Sequence, residues 1–172
     1  STLASKDAMS GVEGIFQAIN SQTYSPYLNR ISLNQEGFYD YNFYATDKVG
    51  NVEKVQNRQF VVDLTAPNST YTITGTRLGD ILAPDATFSL QYSDNLAGVK
   101  STSYFFNENK SLFYKQIPVP IAKMEDGDHV ISYHSIDQVK NEETIKTYSF
   151  YLDKIAPSTN FSVIGDKFQG DK

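Results

Sequence analysis

The sequence predicts an all-β protein built as a tandem of β-sandwich modules. Three observations carry that expectation: a strand-favouring composition, a long internal repeat, and short alternating segments stopped by turn residues. The chain of 172 residues holds 12 Tyr and 11 Phe but no Trp and no Cys. Aromatic and β-branched side chains suit a pleated, half-buried surface. With 40% hydrophobic and 20% charged residues, the balance is that of an ordinary folded chain.

The repeat is read directly. "YNFYATDKVGNVE" (41–53) returns as "ISYHSIDQVKNEE" (131–143), and "VDLTAP" (62–67) returns as "LDKIAP" (152–157). At this offset Gly37 matches Gly127, Asp47 matches Asp137, Asn51 matches Asn141, Glu53 matches Glu143, and Asp63 matches Asp153. Upstream the offset shortens by three: "DAMSGV" (7–12) lies on "DNLAGV" (94–99), and Asn20 on Asn107. A small length difference absorbed between Asn20 and Tyr24 is how a surface loop behaves. After the second "AP", "STNFSVIG" (158–165) resembles "NSTYTITG" (68–75), so a third copy begins. The expected units are 1–66, lacking a first strand, then 67–156, complete, then 157–172, the first strand of a third.

Within 64–153 the elements follow in order. "TYTITG" alternates and stops at Gly75. "ATFSLQYS" puts Phe88, Leu90 and Tyr92 on one face. "VKSTSYFF" is the third strand, and "LFYKQIPVPI" gives one or two broken strands because Pro118 and Pro120 cannot donate to a ladder. "GDHVISYHSID" places Ile131, Tyr133 and Ser135 on one side, and "TIKTYSFYLD" closes the unit. "DAMSGVEGIFQAIN" has a faint helical look, but its repeat partner is plainly loop and strand. About seven short strands with frequent turns match an Ig-like sandwich without its Cys and Trp hallmarks.

The segments "DNLAGV", "GDHVISYHSIDQVKNEE" and "VDLTAP" resemble a family of bacterial Ig-like repeats found in surface and outer-membrane-associated proteins and in large adhesins. The resemblance implies a structural or adhesive spacer at the bacterial cell surface or secreted, with the periplasm the other extracytoplasmic option. It also implies that the partners are neighbouring Ig-like modules of the same chain, with a host-surface or glycan ligand as the alternative role. The sequence departs from the family pattern at Lys140, where the first copy has Gly50, and at "FYD" (38–40). The first departure removes a residue that tolerates positive φ from the turn.

In an Ig-like sandwich the incoming chain and two of the loops meet at one pole. Asp63, leaving the first unit, is therefore expected beside Asp94 and Asn95 from one loop and Asp137, Asn141 and Glu143 from another. The short Pro-stiffened "DLTAP" keeps the units close. Carboxylates gathered there repel by about 4 kcal/mol per pair at 4 Å and an effective dielectric near 20. Ca²⁺, which takes 6–8 oxygen ligands, matches this inventory. Asp in "SDN" and "DKVGN" equally builds Asx-turns and satisfies loop N–H groups unaided. Both readings stand on the sequence.

Other candidates are weaker. Glu125, Asp126 and Asp128 in "MEDGDHV" read as a solvated charged turn. His129 and His134 form no hydrolytic arrangement, and no constellation supports an enzyme. "YSPY" (24–27), "SYFF" (103–106) and "SLFY" (111–114) fill a core more readily than they line a sugar platform. A net charge of −5 without a basic run gives nucleic acid nothing to hold. No apolar run approaches the ~20 residues of a membrane span. The chain opens on "STLASKD", which reads as a piece of a longer polypeptide. A surplus strand at one end and a missing strand at the other predict head-to-tail strand exchange between copies.

Overall fold

A computed structural model describes residues 2–162, 164 and 165. The described residues form strands and loops only, in three sheets. The strands are β1 (Val12–Ile19), β2 (Ser25–Pro26), β3 (Gly37–Asp47), β4 (Gln56–Val62), β5 (Asn68–Thr74), β6 (Arg77–Leu78), β7 (Ile81–Leu82), β8 (Thr87–Ser93), β9 (Val99–Phe106), β10 (Leu112–Phe113), β11 (Val119–Pro120), β12 (Gly127–Asp137) and β13 (Lys146–Leu152). The first copy forms one sheet, ordered β2-β1-β3-β4. The second forms two, β10-β9-β12-β13-β7-β6 and β11-β8-β5.

The second copy is a β-sandwich because both sheets alternate. Along β12, Ile131, Tyr133, Ser135 and Asp137 turn inward and are buried. Phe88 and Leu90 of β8 face them from the other sheet. Phe88 is the centre of the core, with the rings of Tyr71, Phe106, Tyr148 and Phe150 between 5.2 and 6.1 Å from its own. Leu82, Ile121, Ile131 and Leu152 complete the fully sealed layer. Offset rings at this spacing add to the area they bury.

The repeat is also a repeat of register. β3 pairs with β4 from Gly37↔Val62 to Phe43↔Gln56, and β12 pairs with β13 from Gly127↔Leu152 to Tyr133↔Lys146. Both copies carry an irregularity at the same place, beside Val12↔Asp47 in one and Val99↔Asp137 in the other. Asn20 and Asn107 both take positive φ and both accept an N–H from the neighbouring strand, at 2.9 and 3.0 Å.

Three points depart from the sequence reading or add to it. The β6–β7 hairpin is too short to show in any alternation, yet β7 runs parallel beside β13 and buries Leu82. Among residues 2–62 the strands are β1, β2, β3 and β4, the counterparts of β9, β10, β12 and β13. Leu3, Ile31 and Leu33 line a cavity of about 180 Å³ with Ile19, Tyr41 and Phe60. Finally, residues 157–162 carry no strand, although their sequence expects one. An extended segment becomes a strand only where a neighbour takes its N–H and C=O groups. Val163 and 166–172, part of that expectation, lie outside the described residues.

Candidate functional site: the joint at Asp63

Asp63 ends the first copy and is 6% exposed. Its Oδ1 accepts the N–H of Thr65 at 3.0 Å, an Asx-turn that bends the chain into the linker. Its Oδ2 crosses to the loop after β8 and accepts the N–H of Ala97 at 2.7 Å. From the loop after β12, Asn141 donates Nδ2 to the carbonyls of Asp63 (3.1 Å) and Thr65 (3.3 Å). The linker is thus held by side chain and backbone alike.

Asp94 and Asp137 each organise their own loop. Asp94 Oδ2 accepts the N–H groups of Leu96 (3.2 Å) and Gly98 (2.7 Å). Asp137, wholly buried, accepts Val139 N–H (2.9 Å) and Asn141 N–H (2.7 Å) on Oδ1, and Asn141 Nδ2 (2.7 Å) on Oδ2. One carboxylate oxygen from each of Asp63, Asp94 and Asp137 lies within 4.8 Å of the others. Donors of the linker and the two loops serve five of the six oxygens of these three carboxylates. The sixth, Asp94 Oδ1, is sealed from solvent and accepts no hydrogen bond. A buried carboxylate oxygen with no donor is costly unless a cation serves it. Oxygen-only donors at this spacing suit a hard divalent ion such as Ca²⁺.

The other expected residues go elsewhere. Asn95 turns its amide to Glu36 Oε2, at 3.3 Å. Asn141 is a clasp on the linker rather than a member of the carboxylate group. Glu143 sits under the first strand of the second copy, where it accepts the N–H of Ser69 at 2.8 Å and the Ser69 hydroxyl. It also accepts Ser135 N–H at 3.1 Å and pairs with Lys146 Nζ at 2.5 Å. Burial works to raise the Glu143 carboxyl, but the hydrogen bonds from Lys146 and Ser69 outweigh it and hold the group below its ordinary value.

Two further acids grip the chain where it leaves a module, one at each repeat. Glu36, before β3, accepts Leu64 N–H at 2.8 Å besides holding Asn95 across the seam. Hydrogen bonding from Thr65 and then Leu64 keeps its carboxyl below the ordinary value. Its repeat partner Asp126 does the same at the next seam position, accepting Lys154 N–H at 2.7 Å. The "MEDGDHV" acids Glu125, Asp126 and Asp128 are all exposed, and Asp126 in addition holds the chain after β13. The signal was available: Glu36 and Asp126 are both acidic at the repeat offset.

The remaining candidates lie away from the joint. His129 hydrogen-bonds Asn107 through Nδ1 (3.1 Å) and the Glu125 carbonyl through Nε2 (2.9 Å), bracing the start of β12. His134 stands 3.1 Å from Glu142. Of the aromatic segments, Tyr104 and Phe106 pack on the core, whereas Phe113 is 71% exposed beside Leu112. No described helix is long and apolar enough to cross a membrane.

No protein-family model matches the sequence, and no curated protein matches it. Among solved structures the chain is similar to the fibronectin(III)-like modules of Clostridium thermocellum CbhA, at 12% identity and a TM-score of 0.43. That similarity covers 92% of this chain and 88% of the other.

Proposed function

We propose that this chain is a spacer segment of a bacterial surface or secreted repeat protein, its Ig-like modules joined stiffly and the joint completed by Ca²⁺. Each module adds roughly 35 Å of reach, from strands of about ten residues at about 3.3 Å each. The reading rests on the Asp63 joint. A flexible tether has no need to bury its last acid against the next module's loops, and here Asp63 is bound on both oxygens. Calcium enters through the neighbouring Asp94 Oδ1, the one carboxylate oxygen of the three acids without a donor. Asp63, Asp94 and Asp137 would hold the ion, which would relieve their mutual repulsion and lock the second module's two loops to the linker. The resemblance to bacterial Ig-like repeats supplies the surface location.

Thermal unfolding of the chain in calcium and in chelator tests the metal. A midpoint several degrees higher in calcium is expected, by linkage of binding to folding. The shift disappears in Asp94→Asn. Identical midpoints in both buffers overturn the calcium reading.

A further inference from the structure

We propose that the Lys146 amine and the Asn68 carboxamide condense into an amide cross-link, with Glu143 as proton carrier and ammonia as leaving group. The bond stands apart from calcium, and only its mechanical use rests on the spacer reading.

Asn68 opens β5 and Lys146 opens β13, so the two side chains start from different sheets of the second module. Lys146 Nζ donates to Asn68 Oδ1 at 2.7 Å and to the Ser69 carbonyl at 2.7 Å. It also lies 2.5 Å from Glu143 Oε1. Glu143 is fastened beside Asn68, because the same oxygen accepts the Ser69 N–H at 2.8 Å. An amine, an acyl group and a carboxylate thus meet within hydrogen-bond reach, the set that acyl transfer needs. The Glu143 side chain is 6% exposed and that of Lys146 36% exposed. The base is shielded from water, while the rim stays open for ammonia to leave.

The step balances without a co-reactant. The Lys146 ammonium passes one proton to Glu143 and becomes a free amine. Its lone pair attacks Asn68 Cγ and forms a C–N bond. The attacking nitrogen sheds a further proton, which Glu143 relays to Asn68 Nδ2. The Cγ–Nδ2 bond then breaks with its electron pair on nitrogen, and ammonia departs. Ammonia takes the remaining proton as ammonium, and Glu143 returns to carboxylate. No atom changes oxidation state. The ion pair is the resting form, since hydrogen bonds hold Glu143 below its ordinary value. The neutral pair is a minor state, but one turnover per chain suffices and loss of ammonia makes it final. Well-oriented intramolecular reactions reach effective molarities of about 10⁵ M or more.

The fold itself does not ask for this trio. Gln56 stands at the place of Lys146 in the first copy, and Ser158 at the place of Asn68 after the second. The cross-link ties the two sheets of the second module covalently. It also shortens the path of a load. Tension arriving through the linker at Asn68 passes across the bond to Lys146, along β13 and out at Asp153. Residues 69–145, which carry most of the core, are then off that path. Closing so long a loop also removes entropy from the unfolded chain.

Intact-mass spectrometry of the purified full chain tests it. The expected mass is that of the sequence less one ammonia, and a digest yields one branched peptide joining residues 68 and 146. Lys146→Arg keeps a cation beside Glu143 but has no amine, and Asn68→Ala has no acyl group. Both are expected at their full sequence masses. The parent chain melts several degrees above Lys146→Arg, as a constrained unfolded state requires. Glu143→Gln, shown to be folded by circular dichroism, also keeps its full mass. A parent chain that holds its full mass after prolonged incubation at neutral pH overturns the proposal. So does an ammonia loss that survives in Lys146→Arg, which assigns it to deamidation elsewhere. A branched peptide from folded Glu143→Gln overturns the role given to Glu143.

Discussion

Glu143 and Ser69 stand 74 residues apart in sequence, yet the carboxylate of one receives both the N–H and the hydroxyl of the other. The contact pins the first strand of the second module to the loop that follows β12. Lys146 on one side and Ser135 on the other complete the set, so both oxygens of a 7% exposed carboxylate are engaged.

Glu143→Gln is therefore expected to destabilise the second module by about 3 kcal/mol, since an amide leaves donors facing donors in a buried place. Denaturant unfolding measures it. A midpoint within error of the parent chain would show that Glu143 is not holding the strand.

Lys140 occupies the place of Gly50 and keeps its backbone conformation, with φ of 78° against 91°. The turn closes as in the first copy, by an N–H to Asp137 O at 3.4 Å against 3.2 Å to Asp47 O. A lysine there works against the left-handed region, and the buried Asp137 network holds it in place. Lys140→Gly should stabilise the chain by about 0.5–1 kcal/mol after glycine's own entropy is counted. A loss of stability would mean that the lysine side chain contributes something the backbone argument omits.

Gly75 and Gly50 both lie at positive φ, but only one is crowded. A Cβ on Gly75 falls 2.6 Å from Ala86 Cα and 2.8 Å from Asp85 O, both backbone, whereas a Cβ on Gly50 meets nothing within 4 Å. Gly75→Ala should cost about 3 kcal/mol, overpacking added to strain. Gly50→Ala should cost about 1 kcal/mol, from strain alone. Equal effects in paired denaturation curves would refute the clash.

Tyr148 links stability to alkaline pH. Burial first, and then its hydrogen bond to Asp80 at 2.7 Å, push the phenol from 10.0 to about 12. A folded value above the unfolded one means full stability below pH 10.0, lost as the pH rises through about 12. Tyr71, Tyr104 and Tyr133 are raised by burial in the same direction. Unfolding midpoints followed across that window should fall, and less steeply in Tyr148→Phe. At the acid end the sign reverses. Glu143 and Glu36 lie below the ordinary 4.5, so their contribution is present above it and is lost as the pH falls further.

How much was readable differs between fold and joint. The strands of the second module followed from alternation because one face of each is buried, and burial imposes a period of two. The repeat marked Asp63, Asp94 and Asp137 as a set, and the linker's shortness put them at one seam. Asn95 and Glu143 share those loops but turn to Glu36 and Ser69, because spacing names a loop and not the direction of a side chain within it. Glu36 and its repeat partner Asp126 carry no local signal that sets them apart from ordinary surface charge, since their donors, Leu64 and Lys154, lie 28 residues on.

Local pattern by itself determined that this chain folds as β-modules repeated in one register, with acids at the module ends, since periodicity and turn chemistry act over a few residues. Only the tertiary structure decided which acid grips strand, linker or loop, and which carboxylate oxygen is left without a donor. Those choices depend on groups up to 78 residues apart, such as Asn141 and the Asp63 carbonyl, meeting at distances near 3 Å. Contact order of that kind leaves no trace in a window of sequence, because the energy appears only once the chain has closed on itself.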